Sequence, residues 1–149
     1  MTGRGRRGAG LLDRERGSVS LELAILGPAL ILLLGALILV GRVEIAAGAV
    51  EQATRIAARD ASLARTADAA RAAATVAGTR ELTAAGVTCS PLTVVVDVAG
   101  FNVPLGQPAA VRVEITCTAP LADLAVPGLP GARTLTGQSV SPLDRYRSR

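Results

Sequence analysis

Histidine, tryptophan and lysine are absent from this chain, and phenylalanine, tyrosine and methionine occur once each, as Phe101, Tyr146 and Met1. Without histidine, the commonest general base and metal ligand are missing. Serines and carboxylates are present but have no base partner, so no catalytic constellation forms and no enzyme is expected. Two cysteines cannot complete a metal site by themselves, and neither a metal nor another cofactor is expected. Arginine supplies all sixteen basic residues, for a net charge of +4. Much of that charge sits in the first seventeen residues and in the tail Asp144-Arg145-Tyr146-Arg147-Ser148-Arg149. A basic arm at the N-terminus invites comparison with nucleic-acid-binding arms. It has no aromatic side chain to stack on bases and adjoins an apolar run, so no nucleic-acid partner is expected.

Half of the residues are hydrophobic, and they are unevenly spread. Residues 23–41 form an uncharged run long enough to cross a bilayer as a helix. Glu22 is the one acid at its mouth, five positions after Gly17. A carboxylate inside a membrane costs about 2.5–3.5 kcal/mol at the centre of a span and less near the edge. The leader before Gly17 carries Arg4, Arg6, Arg7, Arg14 and Arg16 against Asp13 and Glu15, whereas Arg42 beyond the run is answered by Glu44. The positive-inside rule then places the N-terminus in the cytoplasm and the rest of the chain outside, anchored by a single pass in the cytoplasmic membrane lipid.

Two other targeting signals compete for the same stretch. Arg6-Arg7 only weakly resembles a twin-arginine signal. Ala47-Gly48-Ala49 has the small-x-small form of a signal-peptidase site, but the apolar run exceeds the usual 7–15 residues, and Arg42 and Glu44 stand between it and the site.

Four parts follow: a basic leader at 1–17, a transmembrane helix at 18–41, an Ala-rich helical region at 42–86, and a β-rich domain at 87–149. From Val43, apolar or small residues recur at Ala46, Ala47, Val50, Ala53, Thr54 and Ala57, which is helical spacing. Glu51 and Arg55, four apart with the acid first, form a favourable helix pair. A continuous helix from Ser20 to about Arg59 would measure about 60 Å, twice the hydrocarbon thickness, and would therefore project beyond the membrane as a stalk. Thr66 with Asp68 resembles a helix start, predicting a second helix from Ala67 to about Ala77 that ends near Gly78. The acids Glu44, Glu51, Asp60, Asp68 and Glu81 are spaced like a solvated helix face. Pro28 removes one helix bond within the span and is expected to kink it, as an incidental bend or as a hinge. Gly27, Gly35, Gly41 and Gly48 lie near one face and could allow close helix packing.

After Val87 the period changes. Val94, Val96 and Val98 alternate with Thr93, Val95 and Asp97; Val111, Val113, Ile115 and Cys117 alternate with Arg112, Glu114, Thr116 and Thr118. Both are strand patterns with one apolar face. Residues 99–110, rich in glycine and proline, read as a long loop, the apolar stretch 121–131 is broken by Pro127 and Pro130, and a weaker third strand runs over 132–140. The fold class is therefore α+β: a long N-terminal transmembrane helix continuing as a stalk, a short second helix, and a small antiparallel sheet of about three strands. Cys89 and Cys117 both fall on the exported side, where an oxidising compartment permits disulfides, and a bond between them is expected; the alternative is two free buried thiols.

Arg16-Gly17-Ser18-Val19-Ser20-Leu21-Glu22-Leu23-Ala24, the span with Pro28, Gly41-Arg42, and Gln52-Ala53-Thr54-Arg55-Ile56-Ala57-Ala58-Arg59-Asp60-Ala61 together resemble the TadE-like family, minor pilin-like proteins of tight-adherence (Flp-type) pilus systems. Members commonly carry Phe after the acid, where this chain has Leu23. The resemblance implies cleavage between Gly17 and Ser18 by a prepilin peptidase, and partnership with other pilin-like and inner-membrane proteins of a pilus assembly or secretion machine. Cleavage would leave Ser18 with a free α-amine, and Glu22, one turn away, could neutralise it or that of a neighbouring subunit. Alternatively Glu22 sits among lipid headgroups. Two other function classes share the architecture: an unprocessed single-span anchor displaying a small binding domain, and a secreted domain freed from its signal.

Overall fold

The computed structural model describes the backbone of residues 9–124 and 130–146, with side chains for residues 23–122 and 130–146. Its elements are α1 (Ala9–Leu63), α2 (Ala67–Ala84), β1 (Leu92–Asp97), a 3-10 turn (Ala99–Asn102), β2 (Ala110–Pro120), the single turn α3 (Leu121–Leu124) and β3 (Ala132–Pro142). This is the α+β class that the change of period predicts. The chain divides into two compact units with the boundary between Leu39 and Val40.

In the first unit, residues 23–39 of α1 are apolar on every side. From Leu23 to Ile38, ten large aliphatic side chains are 52% to 74% exposed. Helical backbone continues on both sides of Pro28. Within Leu23–Leu63 the helix is long and apolar enough to cross a membrane; residues 23–39 alone rise about 25 Å at 1.5 Å per residue, close to the hydrocarbon thickness.

In the second unit an antiparallel sheet of order β1-β2-β3 is covered on one face by helices. β2 is the middle strand, and Val111, Val113, Ile115, Cys117 and Ala119 all point into the core and are buried. Cross-strand partners hold the same face: Leu92 lies opposite Cys117, Val94 opposite Ile115 and Val96 opposite Val113. β3 pairs with β2 along its whole length, from Ala110 opposite Pro142 to Pro120 opposite Ala132. The residues between these positions face outward; Thr93, Thr134, Thr136 and Gln138 are exposed, while Glu114, Thr116 and Thr118 on the middle strand are half-buried.

The helices meet this sheet with small side chains. Ala46, Val50, Ala53, Thr54, Ala57, Ala58 and Ala61 of α1 are buried, as are Ala70, Ala74, Ala77, Gly78 and Leu82 of α2. Alanine buries little apolar area, at roughly 25 cal/mol per Å², but it brings helix backbone close to strand backbone. At two crossings alanine is already too large. A Cβ on Gly78 would come 2.7 Å from Ile115 Cδ1, and a Cβ on Gly137 would come 2.6 Å from Thr54 Oγ1 and 3.1 Å from the Val50 carbonyl oxygen. The Thr54 hydroxyl donates to that same carbonyl at 2.7 Å, so the buried polar group is satisfied inside its own helix.

Four boundaries differ from the sequence expectation, the first being that of α1, which spans Ala9–Leu63 where Ser20 to about Arg59 is expected. α2 does not stop near Gly78 but runs to Ala84. Gly78 is a packing glycine over Ile115; the helix ends where Gly86 adopts φ +69°, with the Val87 N–H donating back to the Leu82 carbonyl. The 99–110 connection is not wholly loop, because the Asp97 carboxylate accepts from the Ala99 N–H at 3.0 Å and starts the 3-10 turn. β3 extends two residues past Val140, since Pro142 still lies opposite Ala110. Within the apolar stretch 121–131, α3 forms, and residues 125–129 lie outside those described.

Candidate functional site

Three places carry chemistry: the junction at the head of α1, the disulfide, and a cavity beside it. At the junction, Gly17, Ser18 and Glu22 fall within α1, so their backbone is helical and Ser18 and Glu22 lie one turn apart. Their side chains lie outside the described residues, as do leader residues 1–8, with Arg4, Arg6 and Arg7, and tail residues 147–149. Downstream, a Cβ at Gly27, Gly35, Gly41 or Gly48 would meet nothing within 4 Å. Arg42 and Glu44, the first charged pair after the apolar run, are both exposed.

Along the rest of α1 and α2 the charges do what helix-surface charges do. Arg55 lies 3.6 Å from Glu51, and Arg71 donates to Asp68 at 2.8 Å. Pairs this exposed are worth at most about 0.5 kcal/mol after solvent screening. Glu44, Glu51 and Asp68 are exposed while Asp60 and Glu81 are half-buried, so the acids lie mostly in solvent. Thr66 caps α2, its hydroxyl accepting from the Ala69 N–H at 3.2 Å. Among the described residues, no group of three His, Cys, Asp or Glu side chains converges as a metal site would require.

Cys89 and Cys117 are joined by a disulfide, with Cα atoms 5.0 Å apart and 28 positions between them in sequence. Cys117 is fully buried on β2, and Cys89 is half-buried in the connection between α2 and β1. A bond closing a loop of this size stabilises by about 2–4 kcal/mol, mainly by restricting the unfolded chain.

Beside the bond lies a cavity of about 330 Å³. Leu82, Thr79 and Thr83 of α2 form one wall; Val87, Cys89 and Leu92 form the other. The Thr83 hydroxyl is turned back onto the Thr79 carbonyl at 2.8 Å. Among the described residues, no charged group lines the cavity. Sequence reasoning missed it, because its walls come from the half of α2 beyond Gly78. A Gly set between Thr136 and Gln138 inside a strand is by contrast a recognisable mark of close backbone approach, and it locates the crossing of α1 over β3.

Neither a curated protein nor a solved structure matches the chain. Residues 17–59, which begin at the junction glycine and run through the apolar helix into the buried alanine stripe, match the family model described as TadE-like protein.

Proposed function

We propose that the chain is a non-enzymatic, minor pilin-like component of a tight-adherence pilus assembly or secretion system, cut after Gly17 by a prepilin peptidase. The observation that supports this most is the position of the TadE-like match, which starts at residue 17 and leaves the leader outside it. The basic leader, the apolar helix and the acid one turn beyond the cut are the parts such processing needs. In this reading the leader faces the cytoplasm, α1 is drawn into contact with other pilin-like and inner-membrane proteins, and the α+β unit is exported. Glu22 offsets the new α-amine on Ser18, on its own chain or a neighbour's, where low dielectric makes the pairing favourable.

N-terminal sequencing of the membrane-bound product tests the reading, and Ser18 is expected as the first residue. An intact leader would favour the unprocessed single-span anchor, and a start near Val50 would favour a secreted domain. Gly17→Leu should leave the leader attached, because a bulky side chain blocks the peptidase at the scissile bond. Glu22→Ala keeps the helix and should still be cut, yet should abolish surface fibres. Normal piliation in cells carrying only Glu22→Ala would place the acid among lipid headgroups with no part in assembly.

A further inference from the structure

Cys89 and Cys117 join two parts of the exported unit that are held with unequal strength. On one side stand β2, β3 and the alanine stripe of α1. There eleven residues of each strand pair, Ile115, Val113 and Val111 are fully buried, and the crossing at Gly137 is tight. On the other side is a corner made of the C-terminal part of α2, residues 85–91 and β1. β1 has only six residues, and Leu92, Val94 and Val96 on its core face stay half-buried. Leu82 is the only large aliphatic side chain that α2 buries. Among the described residues, 85–91 take part in five backbone bonds beyond the helix and strand ladders: Ala85 N–H to the Glu81 carbonyl, Gly86 N–H to the Thr83 carbonyl and Val87 N–H to the Leu82 carbonyl close the end of α2, and only Ser90 N–H to the Thr118 carbonyl and Thr118 N–H to the Pro91 carbonyl tie the connection to the sheet. The disulfide spans the boundary between the firm part and the weak corner, and its outer sulfur belongs to a residue that lines the uncharged cavity.

We propose that the Cys89–Cys117 bond is a redox latch on this corner: closed, it presses residues 85–91 and β1 against the sheet; reduced, it lets the corner open while β2, β3 and α1 remain assembled. The chemistry is thiol–disulfide exchange with a dithiol reductant. One thiolate of the reductant attacks the Cys89 sulfur from the cavity side, forming a mixed disulfide and breaking the bond to Cys117. The Cys117 sulfur takes up a proton, because a bare charge in that apolar core is costly. The second thiol of the reductant then displaces Cys89, which is protonated in turn. Two electrons and two protons pass from the reductant, which leaves as its own disulfide. In a reducing compartment the corner is thus open, and in an oxidising one it is shut.

Hydrogen exchange read by mass spectrometry on the full-length protein in detergent, with and without dithiothreitol, tests the latch. Local opening predicts that amides of residues 79–97 exchange about tenfold faster or more after reduction, while slow amides of β3 and of residues 46–61 change by less than about twofold. The double variant Cys89→Ala, Cys117→Ala should show the reduced pattern without dithiothreitol, which separates the bond from side effects of the reagent. Unchanged exchange at residues 79–97 would make the bond a bystander. Equal acceleration in β3 and α1 would make it a staple for the whole unit. Either result overturns the latch.

Discussion

The two ends of α1 are one helix built from two vocabularies. Residues 23–39 are large aliphatics, exposed all round, with open space at Gly27 and Gly35. Residues 46–61 present alanines and one satisfied threonine, buried against strands. Large side chains suit a surface whose surroundings are hydrocarbon, since each added carbon brings more apolar area. Small ones suit a surface whose neighbour is backbone, since each added carbon pushes the helix away. Helix propensity alone cannot separate the two ends, because Ala and Leu both rank high.

Substitutions of one kind in the apolar stretch of α1 and in the strands that its inner end packs against sharpen this contrast. Ile115→Ala, beneath the alanine helices, should cost about 2–5 kcal/mol of unfolding free energy through lost burial and a cavity. Leu32→Ala, at 74% exposure in the apolar stretch, should leave the melting of the α+β unit unchanged. Denaturation of the full-length protein in detergent measures both, and a matched loss from Leu32→Ala would erase the distinction. Gly137→Ala should cost about 1–3 kcal/mol, because its Cβ is driven onto Thr54 and the Val50 carbonyl. Gly35→Ala, with nothing near its Cβ site, should be neutral or mildly favourable to the helix; a stability loss there equal to that at Gly137 would show that the span glycine is packed. The smallest effect is expected at Thr66→Ala, about 1 kcal/mol from the lost cap, seen as a lower melting temperature with the fold retained.

The strand alternation around Val94 and Ile115 was legible because it has period two over enough residues to exclude a helix. The start of α2 was legible because Thr66 and Asp68 are local signals whose meaning needs no partner. The end of α2 was not. Gly78 carries the same letter whether it stops a helix or admits Ile115, and only the third dimension decides between them. The cavity was hidden for the same reason. At the junction the order is reversed: Gly17, Ser18 and Glu22 were conspicuous in sequence by their spacing and the company of the apolar run, while in the proposed reading their meaning depends on a peptidase and on membrane neighbours outside the chain.

The bond from the Ser141 hydroxyl to the Ser62 hydroxyl spans 79 positions of sequence. Among the described residues β3 is the last element, and α1, which it meets, is the first. During synthesis the inner stripe of α1 therefore waits for the intervening chain to be made before β3 can cover it. A stripe of leucines would be a sticky surface throughout that delay. Alanine and threonine make it a weak one, so the late arrival of β3 sets an upper limit on how greasy this helix can be, and the close glycine crossing recovers through fit what the small side chains forgo in area.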